Sequence, residues 1–523
     1  MTRQLMSIAA VLFLPVAAWP YEPAGSIYGE MQGDQFGSAF CTVDFNDDGY
    51  QDLVIGAPAS DANGTSSGKV YLYLGGPMAD TVADLHFVGV ASSFFGKALA
   101  SAGDFNNDGA EDLLVGAPFY DQPANNAGAV YLYYGAAQVD SVVDHIFFGE
   151  ADSDYFGIAV GSSDFNDDGV ADIVVGAYKV DWGVFTDAGR AYVYYGSGSP
   201  DFVVDQVLQG EADGERFGFA LTGGDFNGDG GDDIAVGAYS YDGANLNAGR
   251  IYLFYGGASA DPIDDLIIEG PIAGEKYGWS LASGEVTGDD YDDIIMGTDG
   301  HVISGFSAGR MYVFDGGPGI NSTPHFNYDL GRAAEDLLGF SVAAGVDVTA
   351  DGIADLIAGM PGNNDRGLAA GGAILFAGGV AVSVDTTIYG DGAQEQAGQA
   401  VFLWPDYGSD QIAFGAGGHG YDSYRGRVVL FRGPAAADCC SGRVGDANGE
   451  GGDEPTIGDV TVMIDAKFIS GTCAGIIPCL TEADVNQSGG TTTSCEDISI
   501  GDITILIDYL FITGPTLGLP ECL

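Results

Sequence analysis

The chain has 523 residues and is strongly acidic, with 75 Asp and Glu against 16 Lys and Arg and a formal net charge of −59. This charge disfavours nucleic acid and anionic membrane surfaces as partners, because like charges repel. It also favours bound cations, since a compact fold concentrates the repulsion, although an adaptation to solubility or salt explains much of the same excess.

The N-terminus has the pattern of an export signal. Arg3 precedes an apolar run from Leu5 to Ala18 that ends in Val16-Ala17-Ala18, which fits a signal-peptidase site. The run is short for a membrane span, and no later segment approaches one. No Cys follows it directly, which disfavours a lipid anchor. We therefore predict a signal peptide at residues 1–18 and a secreted or cell-surface protein of bacterial origin.

A unit of about sixty residues recurs along most of the chain. Each unit opens with an aromatic-Gly pair or a variant of it, and successive openings lie 59 to 61 residues apart. The openings are Phe36-Gly37, Phe95-Gly96, Phe156-Gly157, Phe217-Gly218, Tyr277-Gly278, Leu338-Gly339 and Ala397-Gly398. A fixed period of this length is typical of repeat architectures, so the repeat decides the fold class.

Each unit predicts about four short strands. Segments such as 69–73 and 250–254 alternate with period two, and a shorter strand such as 85–88 separates successive units. Four strands per unit are typical of a propeller blade. We therefore predict a mainly-β fold, a seven-bladed β-propeller over residues 24–435. A linking strand at Ser26-Ile27-Tyr28 precedes the first unit and none follows the last, so the N-terminal strand should complete the final blade.

The units resemble FG-GAP repeats. Phe-Gly, an Asp-rich loop and Gly-Ala-Pro follow one another in this order, as in Phe36-Gly37, residues 44–52 and Gly56-Ala57-Pro58. This family forms the seven-bladed propeller at the head of integrin α-subunits. The resemblance covers roughly residues 24–435 and implies a calcium ion on the loop between two strands of a blade. It also implies extracellular recognition or adhesion rather than catalysis.

The Asp-rich loop carries oxygen atoms at alternating positions. Positions one, three, five, seven and nine are Asp44, Asn46, Asp48, the backbone carbonyl of Tyr50, and Asp52. Ca²⁺ takes six to eight oxygen ligands at flexible geometry, which this spacing can supply. The equivalents are Asp104, Asn106, Asp108, Ala110 and Asp112; Asp164, Asn166, Asp168, Val170 and Asp172; and Asp225, Asn227, Asp229, Gly231 and Asp233. Two weaker copies offer Glu285, Thr287, Asp289 and Asp293, and Asp347, Thr349, Asp351 and Asp355.

The calcium prediction is weaker for the later copies of the loop, and a polar turn without metal is the alternative interpretation. Asp290 replaces the turn Gly in the fifth copy, and the seventh copy has Phe402 and Trp404 where the first two oxygens should be, so no ion is expected there. Asp- and Gly-rich turns also join strands without metal. Such a turn, however, needs no carboxylate at position nine, where an apolar strand begins. Four near-identical loops therefore favour calcium.

The segment 439–523 predicts a second domain. It holds Cys439, Cys440, Cys473, Cys479, Cys495 and Cys522, a density that implies disulfides in an exported chain and leaves their pairing open. Cys41, in the repeat region, is expected to be an inert residue of a buried strand.

This segment also contains a duplication, because residues 459–471 align with 502–514 and both copies predict a short helix that ends at Gly. With the oxygen-rich stretch before each helix, it resembles a dockerin, which has two EF-hand-like calcium loops. The resemblance implies ligands at Asp446, Asn448 and Asp459, and at Asp484, Asn486 and Asp502, together with a cohesin-like partner. The loops span 14 and 19 residues, against 12 in an EF-hand. A disulfide-held helical spacer is therefore the alternative.

One hydrolase-like motif occurs, Gly305-Phe306-Ser307-Ala308-Gly309, which matches Gly-x-Ser-x-Gly. Other repeats have an ordinary loop there, such as Asp187-Ala188-Gly189, so no catalytic residue is predicted. The favoured function is a secreted, non-catalytic, calcium-binding propeller that recognises an extracellular protein or carbohydrate and is docked through its C-terminal module. The alternative is a secreted polysaccharide-active enzyme, a hydrolase or lyase, that the same module recruits.

Overall fold

A computed structural model describes residues 22–76, 81–303, 306–328, 335–349, 351–390, 395–405, 413–418 and 426–432. The regular elements within these ranges are β-strands, the first beginning at Glu22 and the last ending at Arg432. The predicted signal peptide and the dockerin-like segment lie outside the described residues. Among the residues described, no helix has the length and apolarity needed to cross a membrane.

Six antiparallel sheets of four strands follow the repeat units in chain order, and we call them blades 1 to 6. Blade 1 contains β2 (Phe40–Val43), β3 (Asp52–Ala57), β4 (Lys69–Tyr73) and β5 (Leu85–Val88); blade 2 contains β6 (Ala98–Gly103), β7 (Asp112–Ala117), β8 (Ala129–Tyr133) and β9 (His145–Phe148). Blade 3 contains β10 (Ala159–Ser163), β11 (Asp172–Ala177), β12 (Arg190–Tyr194) and β13 (Gln206–Gln209); blade 4 contains β14 (Ala220–Gly224), β15 (Asp233–Ala238), β16 (Arg250–Phe254) and β17 (Leu266–Glu269).

Blade 5 differs by a small hairpin in its second connection. It contains β18 (Ser280–Gly284), β19 (Asp293–Thr298), β22 (Arg310–Phe314) and β23 (Phe326–Tyr328), with the hairpin β20 (Val302–Ile303) and β21 (Phe306–Ser307) between β19 and β22. Blade 6 contains β24 (Val342–Val346), β25 (Asp355–Gly359), β26 (Gly372–Ala377) and β27 (Ser383–Tyr389). Ser307 of the hydrolase-like motif lies in this hairpin, which is not the strand-to-helix turn that a nucleophile of this motif requires.

The remaining four-stranded sheet joins the two ends of the strand region. It contains β28 (Ala400–Trp404), β29 (Ala413–Gly418) and β30 (Arg427–Arg432), and its fourth strand is β1 (Glu22–Tyr28). Tyr28 lies opposite Arg427, and Glu22 lies opposite Arg432. The predicted completion by the N-terminal strand is confirmed. The prediction of a mainly-β propeller is confirmed, but the structure has six blades built from single repeat units rather than the predicted seven, because the last unit supplies only three strands of its sheet.

The apolar core lies between neighbouring sheets. Side chains of β3 and β4 pack against those of β7 and β8, and equivalent clusters join each later pair of blades. Phe402 and Trp404 of the composite sheet pack against Leu53 and Tyr71 of blade 1, so the ring is closed. Cys41 is a free, half-buried residue beside this core, and burial raises the pKa of its thiol.

Neighbouring blades approach each other closely where two glycines of the repeat meet. Gly96 has a φ of +84°, a conformation that side chains with a Cβ disfavour. A Cβ on Gly56 of blade 1 would lie 2.2 Å from the carbonyl oxygen of Gly96 in blade 2. Gly116 and Gly157 meet at the same 2.2 Å between blades 2 and 3. The Phe-Gly and Gly-Ala elements of the repeat are therefore the two sides of one contact.

The blades have two distinct ends. The turn between the first and second strands and the connection between the third and fourth lie at one end, which we call the Asp-loop end. The second connection and the link to the next blade lie at the other, which we call the link end; there Gly68 bridges to Phe95, and Gly128 to Phe156. Because Glu22 pairs with Arg432, the strand region begins and ends at the Asp-loop end.

Candidate metal centres

The turn between the first two strands of a blade folds around its first Asp. The Asp44 carboxylate accepts hydrogen bonds from the N–H groups of Asp48 at 3.1 Å and Gly49 at 2.9 Å. The turn reverses through left-handed conformations, with φ of 55° at Asp47 and 87° at Gly49. The same two bonds recur around Asp104, Asp164, Asp225 and Asp347. The first predicted ligand is thus fixed by the local backbone.

Position five closes the middle of the turn. The Asp48 carboxylate accepts from the N–H of Tyr50 at 3.0 Å, and Asp108 accepts from Ala110 at 3.1 Å. Equivalent bonds join Val170 to Asp168, Gly231 to Asp229, Tyr291 to Asp289 and Ile353 to Asp351. The carboxylates of positions one and five are consequently oriented from the same short segment.

The Asp at position nine is the most buried member of each turn. Asp52, Asp112, Asp172, Asp233, Asp293 and Asp355 are all fully buried. One oxygen of each accepts from a glycine N–H in the third connection, as from Gly75 at 2.8 Å and Gly135 at 2.9 Å. The position-nine Asp therefore links the turn to the third connection of the same blade. A surface turn without metal does not require such a link.

Burial acts strongly on these position-nine carboxyls. Desolvation is the main cause that raises the pKa of Asp52 to about 7 and that of Asp112 to about 8, while backbone N–H donors oppose the shift and nearby Asp charges add to it. Asp172 and Asp233 are raised to about 7, and Asp293 and Asp355 to about 6, for the same main reason. A bound cation would reverse this effect, because it stabilises the ionised form.

Several oxygens at the turns have no hydrogen-bond donor. Asn106 Oδ1, Asp112 Oδ2 and Asn166 Oδ1 are buried and have no partner among the described residues. Buried polar atoms are almost always satisfied, and these three oxygens are available as ligands to a cation in the turn. In the sixth turn, carboxylate oxygens of Asp347, Asp351 and Asp355 lie within 4.8 Å of one another. These all-oxygen donor sets fit a hard divalent cation.

The weaker copies keep part of this arrangement. Glu285 accepts from the N–H of Asp289 at 3.0 Å, and Asp290 takes the left-handed conformation, with φ of 72°, where other turns have Gly. Thr287 and Thr349, at position three, each donate a hydroxyl hydrogen bond of 3.3 Å to the position-nine Asp, whereas Asn106 and Asn166 offer a free oxygen. In the fifth and sixth turns the hydroxyl hydrogen is thus held by the position-nine carboxylate, while the hydroxyl oxygen keeps its lone pairs for a cation.

The remaining predicted positions do not form a described site. Phe402 and Trp404 of the seventh copy are buried in the apolar cluster between the composite sheet and blade 1. The C-terminal candidates Asp446, Asn448, Asp459, Asp484, Asn486 and Asp502 lie outside the described residues, as do Asp406 and Asp410.

Sequence reasoning missed a set of carboxylates that connect neighbouring blades. Glu111 of blade 2 accepts from the N–H of Asp44 in blade 1 at 3.2 Å. Asp232 of blade 4 and Asp292 of blade 5 do the same for Asp164 and Asp225, at 3.1 and 3.2 Å. In the sequence, each of these carboxylates is an acidic residue directly before position nine. Blades 3 and 6 have Ala171 and Ala354 at that place instead. Three candidate centres are thus tied to the next blade.

The buried position-nine carboxyls predict an unusual pH dependence for the metal-free protein. Their folded pKa values lie above the ordinary value of 3.8, so the folded state binds more protons than the unfolded state. This contribution to stability is fully present near pH 4 and is lost as the pH rises through about 6 to 8. Metal-free protein should therefore melt at a higher temperature at pH 5 than at pH 8. Calorimetry would contradict this if metal-free protein melted lower at pH 5.

The family model described as FG-GAP repeat matches residues 36–73, 95–133, 156–194 and 217–254, each of which contains one of the four strongest turns. These four segments are FG-GAP repeats. The matched parts correspond to the first three strands of blades 1 to 4.

Relatives that carry such repeats match only part of the chain. Integrin alpha-5 of Xenopus laevis is 34% identical over 165 residues, which cover 29% of this chain and 16% of that protein. Integrin alpha-8 of Gallus gallus is 31% identical over 317 residues, 54% of this chain and 28% of that protein. Phosphatidylinositol-glycan-specific phospholipase D of Homo sapiens is 32% identical over 236 residues, 41% and 27% respectively. The chain thus spans less than a third of each, and the repeats occur in a phospholipase as well as in integrin α-subunits.

Proposed function

We propose that the protein is a calcium-binding β-propeller that acts outside the cell in recognition or adhesion, without catalysing a reaction. The observation that carries the proposal is the set of oriented oxygens at the Asp-loop end, including the orphaned atoms of Asn106, Asp112 and Asn166. Ca²⁺ would be held in each of the first four turns by positions one, three, five and nine and the carbonyl of position seven. When bound, the ion neutralises carboxylates that otherwise repel one another.

The proposed role of the metal is structural. Each ion would fix a turn whose position-nine Asp also holds the third connection of the blade, as Asp233 does by accepting from Gly256 at 2.9 Å. The protein's own residues orient the carboxylates, and the backbone N–H groups around Asp225 hold its side chain in place. Glu285 and Asp347 head two further turns that we include in the proposal.

Calcium stoichiometry tests the metal assignment. We expect Asp48→Asn to remove one bound Ca²⁺ per chain, because Asp48 holds position five of the first turn and is one of its charged ligands. Asp47→Asn is the matched control, since Asp47 is the adjacent carboxylate of the same turn and holds position four, which supplies no predicted ligand. Equilibrium dialysis with calcium measures both variants against the unaltered protein. An unchanged stoichiometry for Asp48→Asn, or equal losses for both variants, contradicts the assignment.

The proposal of recognition rests on the repeats shared with integrin α-subunits. We also propose that the protein is secreted and that its dockerin-like segment attaches it to a cohesin-like partner, on the sequence patterns alone. The shared repeats of a phospholipase make enzyme activity the competing outcome. Turnover of a polysaccharide or of a phospholipid glycan, lost on substitution of link-end acidic residues, would replace the proposal with that alternative.

A further inference from the structure

The few basic residues of this acidic chain are gathered at the link end of the blades. Ten of the eleven Lys and Arg in the described residues lie in second connections, in links, or at the first positions of third strands. They are Lys69, Lys97, Lys179, Arg190, Arg216, Arg250, Lys276, Arg310, Arg366 and Arg427. Only Arg432 lies at the Asp-loop end. One end of the ring therefore carries the acidic turns and Arg432, and the opposite end carries the ten other described Lys and Arg residues.

Six of these ten cations form ion pairs with carboxylates of the links or the second connections. Lys69 pairs with Glu30, Arg190 with Glu150, Arg250 with Glu215, Lys276 with Asp299, Arg310 with Glu275 and Arg427 with Glu395. Over the described ranges, no carboxylate lies within ion-pair distance of Lys97, Lys179, Arg216 or Arg366. In a chain with 75 acidic residues, the lack of a carboxylate beside these four cations points to a role other than an ion pair within the chain.

Three of the four accompany a continuous row of aromatic rings at the link end. Phe119 lies 5.2 Å from Tyr155, Tyr155 lies 5.5 Å from Tyr178, and Tyr178 lies 5.6 Å from Phe219, measured between ring centroids. Phe219 in turn lies 4.5 Å from Tyr239 and 5.1 Å from Trp279. We call these six residues the aromatic arc; it crosses blades 2 to 5. All of them except Tyr239 are only half-buried, so the arc presents ring surface to solvent.

The cations lie on or beside these rings. The Lys179 ammonium is 5.1 Å from the Tyr155 ring centroid and 5.7 Å from that of Tyr178. Arg216 contacts the Tyr239 hydroxyl and lies 5.3 Å from its ring centroid. Lys97 directly follows the Phe-Gly pair of blade 2, the position that Phe219 and Trp279 hold in blades 4 and 5, and desolvation by the surrounding protein lowers the pKa of its ammonium group. The rings hold the cations in place but do not neutralise them.

We propose that the aromatic arc, with Lys97, Lys179 and Arg216, binds an acidic polysaccharide whose sugar units carry carboxylate groups. The inference rests on the proposed recognition function and names its ligand class. The apolar face of a sugar ring packs on an aromatic ring, while its carboxylate forms a charge-assisted hydrogen bond to Lys or Arg. Aromatic rings of the arc come from successive blades, so several units of one polymer can pack on the arc at once and bring their carboxylates near the three cations.

The described ends of the strand region lie away from this surface. Both ends of the strand region lie at the Asp-loop end, so neither β1 nor β30 leads the chain across the arc. Several link-end carboxylates are held by backbone N–H groups, as Asp121 is by Asn126 at 3.0 Å and Asp181 by Asp187 at 2.8 Å. Their negative charge remains and opposes a polyanion, so we expect binding of moderate strength that weakens as salt screens the cations.

The test is calorimetric titration of the calcium-loaded full chain with a galacturonate oligomer of defined length. Lys179→Ala and Arg216→Ala should each weaken binding by about fivefold to tenfold, which corresponds to roughly 1 kcal/mol for a partly exposed pair. Arg366→Ala is the matched control, because Arg366 is also an unpaired link-end cation over an aromatic ring, that of Tyr389, but lies outside the arc. It should bind as the unaltered protein does. Phe219→Leu should also weaken binding, since it interrupts the arc.

Other probes distinguish an acidic polysaccharide from other classes of ligand. Equal affinity for an uncharged glucose oligomer would overturn the role of the cations. Polyglutamate that binds as tightly, with no loss in Phe219→Leu, would identify an acidic peptide site instead. No binding of the galacturonate oligomer by a protein that calcium still stabilises overturns the ligand class alone. Absence of any calcium effect would instead count against the proposed function.

Discussion

Removal of calcium should lower the melting temperature of the protein by more than about 10 °C. A ligand that binds only the folded state at a hundred times its Kd contributes about 2.7 kcal/mol per site, and the chain has six candidate turns. Without the ion, the acidic side chains at positions one, five and nine of a turn repel one another, as in the sixth turn, where their oxygens lie within 4.8 Å of one another. The buried position-nine carboxyl, such as Asp172, also loses its charge partner. Scanning calorimetry with saturating calcium and with a chelator measures the difference.

Single substitutions and salt distinguish specific sites from general screening. Asp168→Ala should reproduce part of the loss in calcium and should reduce the further effect of the chelator, because one turn is already empty of its ion. Sodium chloride screens exposed charges without occupying a site of this kind. Recovery of the full melting temperature by salt alone, or unchanged melting in chelator, would show that the turns do not bind calcium.

Glu215→Ala should destabilise the fold by about 3–5 kcal/mol, the usual cost of leaving one member of a buried ion pair without its partner. Glu215 is fully buried, and its Oε2 accepts from Arg250 at 2.9 and 3.1 Å and from the Tyr252 hydroxyl at 2.9 Å. The Arg250 side chain is only 5% exposed. The substitution therefore leaves a guanidinium in the protein interior with only two more distant, half-exposed carboxylates, Glu211 at 3.5 Å and Glu269 at 4.0 Å.

A similar pair at the surface provides the control for this prediction. Glu30 pairs with Lys69 at 2.9 Å, but its side chain is 54% exposed, so Glu30→Ala should cost less than about 1 kcal/mol. Urea denaturation in saturating calcium compares the two variants. Equal losses would mean that burial does not set the strength of the Glu215 pair, and the prediction would be wrong.

The repeat explains why much of the fold could be predicted. Phe-Gly, Gly-Ala and the position-nine Asp recur because each performs one structural task in every blade: Gly96 admits the neighbouring blade, and Asp112 holds the third connection. The pairing of β1 with β30 followed from counting linking strands. Periodicity could not identify features that depend on two blades at once. The bonds from Asp44 to Glu111 and from Asp164 to Asp232 join residues 67 and 68 positions apart, and no local pattern encodes them.

The candidate metal sites could also be predicted only in part from the sequence. Spacing alone placed Asp44, Asp48 and Asp52 in one turn, since alternate residues of a tight turn face one centre. It treated Thr287 as the equal of Asn106, although Thr287 donates its hydroxyl to Asp293 and Asn106 keeps a free oxygen. The aromatic arc escaped notice because its rings come from different blades and meet only in the ring.

The composite sheet has a consequence for the way the molecule is made. The hydrogen bonds of Arg427 to Ser26 join residues 401 positions apart, so β1 has no partner until almost the whole strand region has been synthesised. The entropy of closing so long a loop grows only with the logarithm of its length, but contacts this distant in sequence form slowly. Until they form, blade 1 keeps one apolar face uncovered. Correct folding therefore requires that the incomplete chain be kept from associating with other chains through this face until the last strand docks.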